Sequence, residues 1–192
     1  MITSLSSIYC VDSTRIWATG KSDGGGLCNV LACDPVLSTQ IAAFAPVSGA
    51  YYQMNTTACA PTTVPITCNK ASSRAPPMLE FHGGDDTVIP YTGEGRKGEC
   101  LPSIVHFIHE WAGRDGLSLT NVTNQLTSDT LQYIYGTGDE EGLVQHIFDK
   151  TIGHDWPSTV PNMDNSESGH HVATFNATPI ILKWFQGYTT NG

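Results

Sequence analysis

One pattern constrains the fold of this chain: short apolar runs typical of buried strands alternate with segments of helical periodicity. Residues 41–47 (IAAFAPV) and 78–82 (MLEFH) are predicted as buried strands, and Gly83-Gly84 end the second of them. Strands that alternate with helices predict an α/β fold, in which helices flank a mainly parallel sheet. The predicted strands are residues 15–19, 41–47, 78–82, 131–135 and 143–148, and the predicted helices are residues 27–32, 100–112 and 179–185.

Size and charge limit the classes of partner. The length of 192 residues is that of one domain, so we expect residues 1–192 to form a single domain. Nine basic against eighteen acidic side chains give a net charge of -9, which argues against nucleic acid or an anionic membrane as a partner. No run approaches the ~18 consecutive apolar residues of a transmembrane helix.

The six cysteines indicate disulfide bonds and an oxidising compartment, because their number is even and none forms a CxxC metal or redox motif. Cys59 and Cys68 flank a Thr/Pro-rich loop and are the easiest local bridge to propose. Cys28 and Cys33 should not pair, since five residues along one helix already separate them by ~7.5 Å. The sequence leaves the full pairing open among Cys10, Cys28, Cys33, Cys59, Cys68 and Cys100.

Glycosylation sequons at Asn55, Asn121 and Asn176 also favour a secreted glycoprotein. The N-terminus, however, has no basic region and no long apolar run, so it carries no recognisable secretion signal. We therefore expect an extracellular protein of which this chain is a later part.

The first candidate for chemistry is Gly20-Lys21-Ser22-Asp23-Gly24, a G-x-S-x-G motif between a predicted strand and a predicted helix. A nucleophilic serine on such a tight turn needs small neighbours, because a Cβ at Gly20 or Gly24 would collide with the approaching backbone. The start of the helix also puts the Asp23 N–H where a developing oxyanion would lie. A glycine-rich turn with a helix-capping serine is the alternative.

Two further segments place an acid and a base after predicted strands. Asp85-Asp86 follow the strand at residues 78–82, at the sheet edge where α/β proteins carry their sites, and His154 follows the last predicted strand. Either segment alone is better explained by a solvent-exposed polar loop, and the combination with Ser22 changes this. The chain order serine, aspartate, histidine is that of α/β-hydrolases. In such a triad Ser22 is the nucleophile, the imidazole takes its proton, and the carboxylate orients the ring.

These residues resemble a known family. The segments ATGKSDGGG (residues 18–26), PMLEFHGGDDTVIPY (77–91) and GHDWPST (153–159) resemble the fungal feruloyl esterases of carbohydrate esterase family 1. They are also similar, less closely, to polyhydroxybutyrate depolymerase-like esterases. The resemblance implies an α/β-hydrolase fold. In the family pattern HGxxDxxxP the acid lies four residues after the histidine, which implies Asp86 rather than Asp85 as the acid.

The function implied by the resemblance is that of a serine esterase. It would hydrolyse feruloyl (hydroxycinnamoyl) esters of plant cell-wall polysaccharides, such as feruloylated arabinoxylan, through an acyl-enzyme on Ser22. No metal, organic cofactor or obligatory protein partner is implied. Trp156 is a candidate for contacting the aromatic acyl group, with packing against the loop of His154 as the other interpretation. Acetylxylan esterase, polyester depolymerase and an inactive carbohydrate-binding remnant stay open as alternatives.

The resemblance also implies that residues 1–192 are the C-terminal portion of the full fold. Only 21 residues precede Ser22, whereas such hydrolases carry several strands and an oxyanion-hole loop before the serine. Residues 1–9 are then predicted to be the end of the helix that leads into the strand before Ser22. We expect an incomplete oxyanion hole and poor turnover, since loss of one donor costs ~10²–10³ in kcat.

Overall fold

The computed structural model describes residues 1–54, 58–71 and 75–191. Its strands are β1 (Trp17–Lys21), β2 (Ala43–Val47), β3 (Met78–Gly83), β4 (Glu94–Arg96), β5 (Glu99–Leu101), β6 (Asn121–Gln125), β7 (Thr130–Tyr135) and β8 (Val144–Asp149). Six of them form one sheet in the order β1-β2-β3-β8-β7-β6, and β4 and β5 form a separate hairpin. The first four strands of the sheet are parallel, whereas β7 and β6 are antiparallel to their neighbours.

Helices cover both faces of this sheet. The described helices are α1 (Ile2–Ser6), α2 (Asp23–Ala32), α3 (Leu37–Gln40), α4 (Ile104–Arg114) and α5 (Ala177–Phe185), with a short 3-10 helix at Gly138–Glu140. Side chains of β2 alternate between the faces, because successive strand residues point to opposite sides. Phe44 packs with Phe107 and Trp111 of α4, whereas Ala45 packs with Ile181 of α5. The predicted α/β architecture with a mostly parallel sheet is confirmed.

Every predicted strand and helix overlaps an observed one, but two features differ. The helix predicted from residue 100 begins at Ile104, because Cys100 and Leu101 pair with the strand β4 instead. Strand β6 was not predicted at all. Four of its five side chains are polar and four are exposed, so it lacks the apolar alternation that marks a half-buried strand. It occupies its place through pairing with β7.

The disulfides differ from the local bridge predicted between Cys59 and Cys68, which is wrong. Cys33 pairs with Cys68 and Cys59 pairs with Cys100. The chain folds back so that the N–H of Asn69 donates to the Cys33 carbonyl (3.1 Å), which carries Cys68 to the end of α2. Cys28 is buried with a free thiol, and Cys10 is free and exposed.

Two disulfides favour an oxidising, extracellular environment. Of the three sequons, the one at Asn55 lies outside the described residues. Asn121 begins strand β6, and the Asn176 side chain accepts a hydrogen bond from the Thr159 N–H (2.8 Å).

In the ranges that the structure describes, no helix is long and apolar enough to cross a membrane.

Candidate active site

Ser22 occupies a sharp turn between β1 and α2. Its φ of 58° and ψ of -121° are rare for a residue with a side chain and store backbone strain. Hydrogen bonds on both sides hold this conformation: the Ser22 N–H donates to Val47 O (3.0 Å), and Ser22 O accepts from Gly26 N–H (2.9 Å) and Ala50 N–H (3.0 Å). The geometry is that expected of a strand-to-helix turn that presents a serine at a sheet edge.

The glycines around Ser22 have different roles. A Cβ on Gly20 would lie 2.7 Å from the backbone carbon and oxygen of Gly24, so Gly20 must lack a side chain. The expectation that Gly24 is equally constrained is wrong, because a Cβ there has no described neighbour within 4 Å. Close packing is instead found at the next two residues: a Cβ on Gly25 would lie 2.7 Å from Gly49 Cα, and one on Gly26 would collide with the Ala50 carbonyl.

The structure brings Asp86, and not Asp85, to His154. The Asp86 Oδ2 atom lies 2.8 Å from His154 Nδ1, while Oδ1 accepts hydrogen bonds from the N–H groups of Val88 (2.9 Å) and Ile89 (2.7 Å). Asp86 is buried, whereas Asp85 is exposed. Burial opposes ionisation of Asp86, but hydrogen bonds from His154, His82 and Ile89 outweigh it and lower the pKa of the carboxyl.

Ser22 lies at the same sheet edge as this pair. Ser22 follows β1, Asp86 follows β3 and His154 follows β8, and the carboxyl ends of parallel strands share one edge. Among the described contacts, no hydrogen bond joins Ser22 Oγ to His154. Such contacts are often longer than a hydrogen bond before substrate binds. The arrangement thus combines an Asp–His pair with a serine on a strained turn, which are the parts of nucleophilic acyl transfer.

An ion pair connects the turn of Ser22 to the loop of His154. Lys21 Nζ lies 2.8 Å from Asp164 Oδ1, and Asp164 Oδ2 accepts a hydrogen bond from the Trp156 N–H (2.9 Å). Lys21, the residue before Ser22, therefore contacts the loop that carries the base. Sequence reasoning missed Asp164, because it lies in a polar loop without any motif.

Trp156 makes contacts of a structural kind. Its indole Nε1 donates to Thr178 Oγ1 (3.0 Å), and the ring packs against the apolar cluster that includes Ile181 and Phe185 of α5. These contacts fix the loop of His154. A role of Trp156 in substrate binding stays a prediction.

Asp23 is the first residue of α2, directly after Ser22. The first N–H groups of a helix have no partner within the helix, and the helix dipole favours negative charge at this end. The Asp23 N–H is thereby suited to a carbonyl oxygen that gains negative charge beside Ser22. Its assignment to the oxyanion hole stays a prediction.

A second histidine–aspartate pair was not predicted. His170 Nδ1 lies 2.7 Å from Asp155 Oδ1, and Asp155 is buried beside His154 in the chain. No motif in the sequence links these residues. His106 of α4 bonds the Val64 carbonyl through Nε2 (2.9 Å). Within the described ranges, no three His, Cys, Asp or Glu side chains are grouped to hold a metal ion.

Comparison with known proteins adds no assignment to this geometry. A scan against protein-family models found no match, and a search of curated proteins likewise found none.

Proposed function

We propose that this protein is a serine esterase that hydrolyses feruloyl (hydroxycinnamoyl) esters of plant cell-wall polysaccharide. The observation that carries the reaction type is the backbone of Ser22, strained at φ 58° between β1 and α2, at the sheet edge where the buried Asp86 pairs with the partly exposed His154. Strain of this kind in a non-glycine residue points to a functional turn, since folding alone would favour a glycine there.

The reaction begins with attack of Ser22 Oγ on the ester carbonyl. His154 Nε2 takes the hydroxyl proton, while Nδ1 stays bonded to the Asp86 carboxylate (2.8 Å), which stabilises the imidazolium. The carbonyl oxygen becomes an oxyanion next to the Asp23 N–H. The carbon–oxygen bond to the sugar then breaks, and the sugar oxygen takes the proton from His154. Water, deprotonated by the same ring, releases the acid and restores Ser22.

The electrostatics of the pair favour this role. Asp86 is buried and its pKa is lowered, so the carboxylate is charged throughout the neutral range. An ionised, immobile carboxylate keeps the imidazole in the tautomer whose Nε2 accepts a proton.

The acyl specificity rests on sequence resemblance. The segments around Ser22, Asp86 and His154 resemble those of feruloyl esterases, and all three lie at one edge of the sheet. The disulfides Cys33–Cys68 and Cys59–Cys100 suit an enzyme that acts outside the cell.

The test compares release of ferulate from methyl ferulate with release of acetate from an aryl acetate, alongside covalent labelling by an organophosphonate. We expect ferulate release, and one label on Ser22 found by mass spectrometry. Ser22→Ala should abolish both, and Ser118→Ala, which changes an exposed serine, should abolish neither. Acetate release alone would replace the feruloyl assignment by an acetyl esterase, and a failure of any serine to react would reject the esterase.

A further inference from the structure

A row of buried polar side chains continues inward from Asp86. Glu80 and His82 lie two residues apart on β3 and share one face of the strand, and both are buried. His146 of the neighbouring strand β8 is buried beside them. Charged groups in a protein interior are costly unless they are paired, so these contacts constrain the charge of each member.

The contacts of His82 determine which of its ring nitrogens carry protons. His82 Nε2 lies 2.8 Å from the carbonyl oxygen of Ile89, which can only accept, so Nε2 must carry a hydrogen. His82 Nδ1 lies 2.9 Å from Glu80 Oε1, an acceptor when the carboxyl is ionised. A hydrogen on both nitrogens makes the ring an imidazolium.

The same cation faces the candidate acid. His82 Nε2 lies 3.4 Å from Asp86 Oδ2, the atom that bonds His154. The Asp86 carboxylate therefore lies between two histidine rings, and Glu80 is the counter-ion on the far side of His82. Negative and positive side chains alternate in the order Glu80, His82, Asp86.

Other titratable groups reach this row from three parts of the chain. Two of them contact Glu80, at the end of the row away from Asp86, and the third lies beside His82. Tyr51 OH lies 3.5 Å from Glu80 Oε1, and His146 Nδ1 lies 2.7 Å from Glu80 Oε2 at an angle outside hydrogen-bond geometry. The Tyr91 ring centre is 6.0 Å from that of His82, and its hydroxyl lies 3.1 Å from His146 Nε2.

The electrostatics agree with this charge pattern. Burial opposes a charge on His82, but the Glu80 carboxylate and hydrogen bonds with Asp86, Glu80 and the Ile89 carbonyl raise the pKa of His82 to about 10. Burial likewise opposes ionisation of Glu80, yet the His82 charge and contacts with both histidines lower the pKa of Glu80.

We propose that His82 is a positioning residue: a doubly protonated ring, held by Glu80, that fixes Asp86 Oδ2 in its place for His154. The role rests on the proposed esterase function. Without this cation, the Asp86 carboxylate would act on His154 alone, and protonation of His154 would become easier. The row thus holds the carboxylate that orients His154 to accept a proton from Ser22.

The protonation is tested by nitrogen NMR of the histidine rings in the complete chain, with the signals assigned through the backbone of residue 82. At about pH 8, well above the ~6.5 of an ordinary histidine, we expect both ring nitrogens of His82 to carry hydrogen. Glu80→Gln should lower the midpoint of its titration by about 2 pH units, the size expected for loss of an adjacent opposite charge. A neutral His82 in the wild-type chain at about pH 8 would overturn the proposal, whether or not the variant folds.

The positioning role is tested by the pH dependence of kcat/KM, or of the labelling rate, in His82→Gln. We expect the pH at which activity falls on the acidic side of the profile (the acidic limb) to move upward by about 1 pH unit, because a like charge near His154 is removed. Glu94→Gln, which changes an exposed carboxylate of β4, should leave the limb in place. An unmoved limb in a folded His82→Gln chain would reduce His82 to a structural role and overturn the proposal.

The two proposals fail in distinguishable ways. A wild-type chain that neither turns over nor reacts with the phosphonate would reject the esterase and the positioning role together. The NMR result would still decide whether the buried ring is charged, since it does not depend on activity.

Discussion

Two of the described histidine–aspartate contacts have almost the same separation. His154 Nδ1 lies 2.8 Å from Asp86 Oδ2, and His170 Nδ1 lies 2.7 Å from Asp155 Oδ1. Both aspartates are buried, and both histidines are partly exposed. Distance and burial alone would make the two pairs equivalent.

What separates the pairs is the structure that supports each carboxylate. Asp86 follows a central parallel strand, accepts two backbone N–H groups and contacts His82. Asp155 lies in a loop, where its Oδ2 accepts the Gly153 N–H at 3.2 Å. A histidine–aspartate pair becomes a candidate for catalysis when rigid elements hold it at a sheet edge that also carries a serine. A short distance between the two side chains is not sufficient.

The sharpest test of this difference removes the charge of each aspartate in turn. Asp86→Asn should lower kcat by ~10⁴, because the His154 ring loses its tautomer and orientation. Asp155→Asn should cost far less, and so should Asp85→Asn, the exposed neighbour, in assays of ester hydrolysis. If Asp155→Asn had the larger effect, the roles of the two pairs would be exchanged.

Stability should depend in addition on the two disulfides, which lie outside both pairs. Reduction of the disulfides Cys33–Cys68 and Cys59–Cys100 should lower the free energy of unfolding by ~2–4 kcal/mol for each bond. Denaturant titrations with and without reductant measure this. The unfolded, unreduced chain should expose the thiols of Cys10 and Cys28 alone, and reaction of all the cysteines would contradict the bonds.

Breaking the ion pair between Lys21 and Asp164 should affect the Asp86–His154 pair and leave the Asp155–His170 pair unchanged. Lys21→Met releases the loop from the turn of Ser22, and a displacement of about 1 Å can cost ~10² in rate. We expect kcat to fall with little change in melting temperature. Asp164→Asn should give the same loss, and the double variant should add nothing further.

Lys150→Met is the matched control for that experiment. Lys150 Nζ lies 2.6 Å from Asp129 Oδ1, and this exposed lysine pairs with the turn between β6 and β7 instead of reaching the turn of Ser22. It should leave kcat unchanged. Additive losses in Lys21→Met and Asp164→Asn would show that the two side chains act separately.

The smallest effect concerns the pH dependence of stability, which has opposite signs in the two pairs. The hydrogen bond that His170 donates to the Asp155 carboxylate raises the pKa of His170, so the stabilisation is complete below the ordinary ~6.5 and is lost as pH rises. The lowered pKa of Asp86 gives stabilisation that is complete above ~3.9 and is lost as pH falls.

Thermal unfolding of the wild type and of His170→Gln, at pH values below and above ~6.5, measures the stabilisation from protonated His170. The two melting temperatures should differ by ~2–4 °C or less at low pH, as expected for a partly exposed pair, and should converge as pH rises. A gap that widens with pH would contradict the assignment of a protonated His170.

Local signals in the sequence were sufficient for much of the fold. The apolar runs at residues 41–47 and 78–82 predicted β2 and β3, because a buried strand requires apolar side chains at consecutive positions. The motif around Ser22 was placed between a strand and a helix for the same reason, and the structure has β1 and α2 there. Strand β6 was missed since its polar side chains carry no such signal and its position depends on pairing with β7.

The site shows the same division. The order of Ser22, Asp86 and His154, each after a strand, follows from the sequence, because parallel strands bring their carboxyl ends to one edge. Only the tertiary structure decided that Gly25 and Gly26, rather than Gly24, meet the neighbouring backbone. That requirement depends on where residues 49 and 50 pass, which no local pattern contains.

Pairings across long stretches of chain were likewise decided by the fold. Cys33 and Cys68 are separated by 35 residues in the sequence, Cys59 and Cys100 by 41 residues, and Asp86 and His154 by 68 residues. Short sequence motifs predicted Asp86 and His154, but the residues around a cysteine do not indicate which cysteine it pairs with. The spacing of Glu80 and His82 on one face of β3 follows from the sequence, because the two residues are two positions apart in a predicted strand. The charge of His82 depends on its contacts with the Ile89 carbonyl and Asp86, and only the folded loop after β3 brings these groups within reach.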